Sequence, residues 1–292
     1  MRLRRSTSDR VFDLFVLVFT VLILFSVIYP LYFIAIASFS DPRYVGSGQV
    51  YLLPKMVSFA GYGEVFKDQR IWIGYRNTII YSVLGTLINL FVTVPAGYAL
   101  SRSDFKARKA LSVFFIIPMF VNGGLIPTYI IIKNVGLIDS GWVMMLPFCL
   151  SVYNMIIVRT FYANGAIHEL LEAARLDGCN NNQFFFRIAL PLSKAVVSVV
   201  MLYYFVGHWN DYYNGMIYLN SASKQPLQLV LRDILVRNQA FADGITGGDG
   251  AQQKADQIKY AVIIVSSLPV LVLYPFLQKY FEKGVMIGSL KG

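Results

Sequence analysis

The 292-residue chain is 56% apolar and only 14% charged, against roughly 25% charged residues in an ordinary soluble domain. So much Leu, Ile, Val, Phe and Tyr beneath so few charges excludes a water-soluble globule and calls for lipid. The formal net charge of +10 is dispersed between apolar runs with no dense basic stripe, which argues against nucleic acid as a partner and fits cytoplasmic loops rich in Lys and Arg.

The first ten residues are basic like the start of a signal peptide, but the apolar run behind them is too long for a cleaved signal and lacks a small-residue cleavage site. It reads as a first permanent span, over about 12–37, uncharged from Leu14 on. Crossing the hydrocarbon core takes about 20 apolar residues. Further candidates follow over about 77–100, 110–132, 142–160, 195–219 and 260–280. Pro95, Pro118, Pro147 and Pro269 fall inside these runs, a placement membrane helices accept because neighbours re-satisfy the freed carbonyls. The expectation is an all-α integral membrane protein, six transmembrane helices in a single domain over 1–292.

Positive residues near span ends set the orientation. Four regions hold 15 of the 26 Lys and Arg residues: 1–11, the short link at 101–109, the stretch 159–194, and the C-terminal segment after 278. They alternate with the spans so as to share one side, which places both termini in the cytoplasm. Long exterior loops are expected over 38–71 and 220–259. The second has helical periodicity over 228–237, then Gly244, Gly247, Gly248 and Gly250. That glycine run lacks the Lys-Ser/Thr ending of a phosphate loop and reads as a flexible connection. Cys149 and Cys179 have no metal-ligand neighbours and form no disulfide framework.

The stretch 166–191 is too polar to span and too patterned for a random link. Ile167, Leu170, Leu171 and Ala174 recur at helical spacing. Gly178 is a natural left-handed stop, Asn180 to Asn182 can cap a second helix over 183–189, and Pro191 opens the next element. A helix-turn-helix on the cytoplasmic face results. Its Ala-Ala surface lets a partner approach the backbone closely.

The residues Glu172-Ala173-Ala174, then Asp177-Gly178, then Ile188-Ala189-Leu190-Pro191 resemble the cytoplasmic signature of binding-protein-dependent ABC importer permeases: E-A-A, three residues, G, nine residues, I-x-L-P. The resemblance implies the fold of an ABC type I importer permease, with 166–191 as a coupling helix-turn-helix received by a groove on a cytoplasmic ATPase. It makes Glu172, Ala173, Ala174, Asp177, Gly178, Ile188, Leu190 and Pro191 the ATPase-coupling residues. It further implies a non-catalytic subunit: a heterodimer with a related second permease, two cytoplasmic ABC ATPase subunits that hold the ATP and Mg, and an exterior solute-binding protein. This chain itself has no phosphate loop and is expected to bind no cofactor or metal.

The run Gly207-His208-Trp209-Asn210-Asp211-Tyr212-Tyr213 and the C-terminal Gln278-Lys279-Tyr280-Phe281 and Gly288 to Gly292 are similar to carbohydrate permeases. They resemble the maltose-type second permease group, and within it the oligosaccharide subgroup that includes the alginate importer's second permease. A sugar path wants aromatic faces and directional polar groups, so Tyr203, Tyr204, Trp209, Asn210, Asp211 and Tyr212 are candidate pathway residues. Two other roles stay open: an interfacial aromatic belt and helix-end capping by His208 and Asp211. The competing functions are an amino-acid or peptide importer of the same superfamily, a membrane enzyme, and a proton-coupled carrier. The last two lack convergent histidines or intramembrane acids, since only His168, His208 and Asp211 offer themselves.

Overall fold

The computed structural model describes residues 7–121, 123–243, 258–272 and 275, and every regular element among them is helical. The chain divides into two compact units, Met1–Asp68 with Asp233–Leu268 and Gln69–Arg232 with Pro269–Gly292.

In the first unit α1 (Thr7–Ser38) is one long helix. Every residue from 11 to 28 is exposed, a run of Val, Leu, Phe and Ile that no water-facing helix could carry. Lipid is the solvent that makes such a surface neutral in free energy. Beyond α1 come the short helices α2 (Pro42–Gly46) and α3 (Ala60–Lys67). Asp41 caps α2 by accepting from the Arg43 amide at 2.9 Å, and Tyr62 donates its hydroxyl to Ser38 Oγ at 2.8 Å. Phe39 stacks on Tyr62 at 5.4 Å. The expected exterior loop 38–71 is thus folded back on itself rather than loose. An apolar helix, Ile258–Val272, covers the described part of the expected sixth span.

The second unit is built on α4 (Gln69–Ser101). Its buried positions include Gly74, Asn77, Thr78, Ser82, Gly85, Thr86, Asn89, Thr93 and Gly97, while Ile79, Ile80, Val83, Leu87 and Phe91 are exposed. Small and polar residues inside, large apolar ones outside, is the reverse of a soluble amphipathic helix and the usual arrangement in a bilayer. Against the inward face of α4 pack α7 (Val152–Tyr162) and α11 (Lys194–Trp209). Between α4 and α7 lie α5 (Arg108–Phe120), α6 (Leu125–Asn134) and a 3₁₀ turn, Gly141–Met144.

Three expected spans are interrupted. The third is two helices, α5 and α6, with Val121 to Gly124 between them. The fourth is not helical from its start: after the turn Gly141–Met144 the chain runs without regular structure to Ser151, and only then begins α7. Pro147 cannot donate to a helix ladder. The Asn89 amide donates instead to the carbonyls of Phe148 and Cys149 at 3.3 and 2.8 Å, the internal satisfaction that irregular backbone requires at membrane depth. The fifth stops at Trp209, and a separate short helix, α12 (Tyr213–Tyr218), follows. The glycine run at 244–250 and the C-terminal features from Gln278 on lie outside the described residues.

Small residues set the helix spacing. A Cβ added at Gly97 would lie 2.6 Å from Val158 Cγ1 and 2.8 Å from Val158 Cβ, whereas one at Gly63 of α3 would meet nothing within 4 Å. Gly97→Val should therefore destabilise the chain by about 1–3 kcal/mol through overpacking of α4 on α7. A clearly lower Tm in detergent is expected for Gly97→Val, and an unchanged one for the control Gly63→Ala.

Candidate functional site

Residues 164–193 form two helical pieces joined by a tight turn. The first, α8 (Gly165–Leu176), starts at Asn164, whose side chain accepts from the Ala166 amide. It ends at Asp177 and Gly178. The Gly178 amide donates to the Arg175 carbonyl at 3.0 Å and the Cys179 amide to the Ala174 carbonyl at 2.9 Å, the bonds of a left-handed helix terminus. Gly178 has φ +78° with open space around its missing Cβ, so glycine is required there by backbone conformation and not by crowding. Asn180 and Gln183 then make a reciprocal capping box, at 2.8 and 3.0 Å. The second piece runs through α9 (Asn181–Phe184), a π-helical turn over Phe185–Ala189 and α10 (Leu190–Leu192). Pro191 does not open a new helix: it directly follows the π-helical turn inside a continuous helical run, Ala189 and Leu190 both having helical dihedrals. Asn181–Leu192 meets α11 at a bend of 77°.

The Glu172-Ala173-Ala174 residues do not form one surface. Ala174 and Leu171 are buried in a core with Val94, Val158, Tyr162, Phe184 and Val200, so α8 is seated on α4, α7 and α11. Glu172 and Ala173 point away from this core and are exposed, as are Asp177, Gly178 and Pro191, while Ile188 and Leu190 are half-buried. The expected Ala-Ala contact surface is therefore only Ala173. The apolar residue on the outer side is Leu176, 91% exposed, which lies off the helical stripe and was missed in the sequence for that reason. Glu172 reaches His168 one turn back at 3.5 Å.

A charged cluster fastens this two-helix knob to the loop after α4. Buried Arg102 donates from Nε and Nη2 to the two Asp104 carboxylate oxygens at 2.9 and 2.8 Å. It also donates to Tyr98 Oη at 2.8 Å and Asn181 Oδ1 at 3.0 Å. Arg175, in the last turn of α8, donates to the same Asp104 carboxylate. The Arg102 hydrogen bonds foremost, then that from Arg175, hold the Asp104 carboxyl well below the usual carboxylate range. Asp104 and Arg175 are 71 residues apart, and no local spacing pairs them.

The candidate pathway residues separate into different tasks. Tyr204 is buried, its hydroxyl 2.7 Å from Thr93 Oγ1 and accepting from the Ser151 amide at 2.9 Å, so it ties α11 to α4 and to the start of α7. Trp209 is buried between Phe205 and Tyr75 at 6.0 and 6.5 Å. Asn210 is exposed and closes α11 by donating to the Val206 carbonyl at 3.0 Å. Asp211 accepts from the Asn214 amide at 3.1 Å and from Asn214 Nδ2 at 2.8 Å, which makes it a cap. Tyr203 and Tyr212 are exposed, Tyr203 beside Tyr153 and Tyr212 beneath the Arg232 guanidinium. His208 Nε2 lies 2.6 Å from Asn89 Oδ1. Since the Asn89 amide nitrogen is spent on backbone carbonyls, its oxygen accepts and His208 donates.

At the other end of α4, Asp139 (φ +52°) gathers the link after α12. Its carboxylate accepts from the Asn220 and Ser221 amides at 3.0 and 2.9 Å, from Ser221 Oγ at 2.5 Å and from Lys224 Nζ at 3.2 Å. Asn77 donates to the Ser223 and Gln225 carbonyls, and Thr78 Oγ1 accepts from the Leu227 amide at 2.8 Å. The next helix, α13 (Leu227–Asp243), therefore starts from a fixed point on α4.

The family described as the binding-protein-dependent transport system inner membrane component matches residues 70–287, most of the chain. The chain belongs to this family. It is thus a permease component of an importer, the coarse function its all-helical, lipid-facing architecture supports. Among its relatives is the polygalacturonan/rhamnogalacturonan transport system permease protein YtcP of Bacillus subtilis (strain 168), 36% identical over 98% of this chain and 100% of the relative. The arabinooligosaccharides transport system permease protein AraQ of the same organism is 29% identical over 82% of this chain and 81% of the relative. The solved structure of a bacterial ABC transporter involved in the import of the acidic polysaccharide alginate contains a chain that superposes with a TM-score of 0.85. Its sequence is 31% identical, and the match covers 96% of this permease and 99% of that chain.

The charged cluster generates a prediction. A carboxylate whose folded pKa is depressed stabilises above its ordinary value, near pH 4, and that contribution disappears as pH falls through the depressed value. After discounting for the exposed edge of Asp104, a double-mutant cycle of Asp104→Asn with Arg175→Gln should give a coupling of about 1 kcal/mol at neutral pH. Denaturation repeated at successively lower pH should show the coupling fading below pH 4. A coupling near zero at pH 7 would remove the cluster as a fastening.

Proposed function

We propose that this permease component has six transmembrane helices with both termini cytoplasmic, and that 166–191 is the coupling loop through which a separate ATPase drives import of an oligosaccharide. The observation that carries the reading is the two-sided knob: Leu171 and Ala174 seated in the core of the spans, with Glu172, Ala173 and Leu176 presented outward. A partner gripping the outer side moves α4, α7 and α11 through the inner one. Glu172, Ala173, Asp177 and Gly178 form the gripped surface and its bend. Ala174, Ile188, Leu190 and Pro191 set the angle at which the knob joins α11. Leu176 adds an apolar anchor of the kind protein interfaces bury.

The functional unit is a heterodimer with a related permease, two cytoplasmic ATPase subunits carrying ATP and Mg, and an exterior solute-binding protein. The cargo reading rests on what the relatives carry, polygalacturonan/rhamnogalacturonan and arabinooligosaccharides, and on the alginate importer as structural neighbour. On the pathway, exposed Tyr203 and Tyr212 are the residues of the candidate set available to a sugar or to the second permease. Tyr204, Trp209, Asn210 and Asp211 act by holding the shape of that region.

The test uses the reconstituted complex. Glu172→Lys and Leu176→Ser should each lower oligosaccharide-stimulated ATP hydrolysis at least tenfold while leaving the Tm of the permease within a few degrees, because both side chains are exposed. Unchanged stimulation in both variants would count decisively against the coupling assignment. The cargo is tested separately, by thermal stabilisation of the binding protein against a panel of neutral and acidic oligosaccharides.

A further inference from the structure

Beside the knob, and distinct from the gripped surface, is a cavity of about 260 Å³. It lies between the end of α4, the first turn of α5, the end of α7 and the inner side of α8. A water occupies roughly 30 Å³, so the space admits a small polar group with part of whatever carries it, and falls just short of a drug-sized site. Its lining includes Arg102, Arg108 and His168, the hydroxyl-bearing Ser101 and Ser103, and no carboxylate. Acids do stand nearby, but outside the lining: Asp104 is taken up by Arg102 and Arg175, and Glu172 lies 3.5 Å from His168 Nε2.

Arg102 spends its donors on Asp104, Tyr98 and Asn181. The Arg108 guanidinium spends one, on the Arg102 carbonyl at 3.2 Å, and makes no other hydrogen bond among the described residues, so the rest of its planar fork is unspent. Two helices also begin on the cavity wall, since Arg108 is the first residue of α5 and Gly165 the first of α8. The positive ends of both helix dipoles add to the charge of the side chains.

We propose that this cavity binds a phosphate-bearing ligand, with Arg108 as the principal bidentate contact and His168 and Ser103 completing the shell. A phosphate monoester or diester supplies compact negative charge and several acceptor oxygens, which suits a guanidinium fork flanked by a hydroxyl. Because α8 forms one wall, an occupied cavity braces the knob against α4 and α5, so the ligand regulates coupling and is not cargo. Two sources share this chemistry: the headgroup of an anionic lipid in the cytoplasmic leaflet and a soluble phosphate ester. The lipid source rests on the cytoplasmic placement proposed above and the regulatory role on the coupling loop proposed there, while the binding readouts depend neither on coupling nor on what the importer carries.

The experiment uses the full transporter in nanodiscs and reads Tm and, by native mass spectrometry, retained lipid. One arm compares phosphatidylcholine alone with mixtures containing phosphatidylglycerol. The other adds inorganic phosphate or a hexose 6-phosphate to phosphatidylcholine discs. A saturable rise in Tm and retained lipid in the first arm alone assigns the site to lipid, and a saturable rise in the second alone assigns it to a soluble ester. Arg108→Gln should weaken the effective probe about tenfold, the loss of one charge-assisted bidentate contact. Ser103→Glu, at an exposed rim position that leaves folding untouched, should abolish binding by placing a carboxylate in the lining. The proposal is overturned if no probe gives a saturable response, or if Ser103→Glu responds as the unaltered chain does.

Discussion

In hydrocarbon an exposed Leu or Phe costs almost nothing, whereas a buried Asn without partners costs several kcal/mol. A helix in that solvent has to bring its polar side chains to other protein groups. Helix α4 meets this constraint at Asn77, Asn89 and Thr93, while the buried hydroxyls of Ser82 and Thr86 are left without a hydrogen-bond partner among the described residues, and the 69–232 unit is arranged around it. Asn77 holds the chain after α12 by two carbonyls. Asn89 stitches the non-helical stretch before α7 and meets His208. Thr93 holds Tyr204 of α11. Between these polar contacts Gly74, Gly85 and Gly97 let Leu227, His208 and Val158 approach within 3 Å of where a Cβ would stand. The bonds fix direction and the glycines fix distance, which is the division of labour expected where apolar burial supplies no drive between helices.

That reliance on particular partners explains what the sequence could and could not disclose. The long apolar runs mark lipid-facing segments by composition alone, and Gly178, Asn180 and Pro191 mark the turn and caps of the knob through strictly local physics. The interruptions were not legible. Pro147 is compatible with an unbroken, kinked helix or with a broken one, and the choice falls to Asn89, 59 and 60 residues from the carbonyls it satisfies. The break after Trp209 is different: Asp211 caps the start of α12 through Asn214, a local contact that belongs to the helix-end capping role the sequence leaves open for it. Arg102 was visible only as one more positive residue in a short link, because its distant partner Asn181, 79 residues on, meets it only once α9 lies beside the loop after α4.

The knob shows the same limit at finer scale. A motif match treats Glu172, Ala173 and Ala174 as a block, but helical geometry rotates successive residues by about 100°. Ala174 is turned into the core while Glu172 and Ala173 face out. Small size therefore has two different reasons in adjacent residues: Ala174 is buried in the core that also holds Val158 and Phe184, and Ala173 leaves room for whatever lies outside. Leu176, with no place in the signature, is the more exposed apolar group.

Transmission of force needs stiffness at both ends of the path. Toward the spans, the knob is stiffened by apolar packing, by the Arg102–Asp104–Arg175 cluster and by Tyr162, whose hydroxyl donates to Ser193 Oγ at 2.7 Å where α10 meets α11. Apolar contacts alone would permit sliding, because dispersion between aliphatic groups has little directional preference. The charged cluster restricts that freedom: Arg102 holds the Asp104 carboxylate through both oxygens, which fixes the orientation of the carboxylate that Arg175 of the knob then grips. The knob is thus tied by directional bonds both to the loop after α4, through Asp104, and to the start of α11, through Ser193.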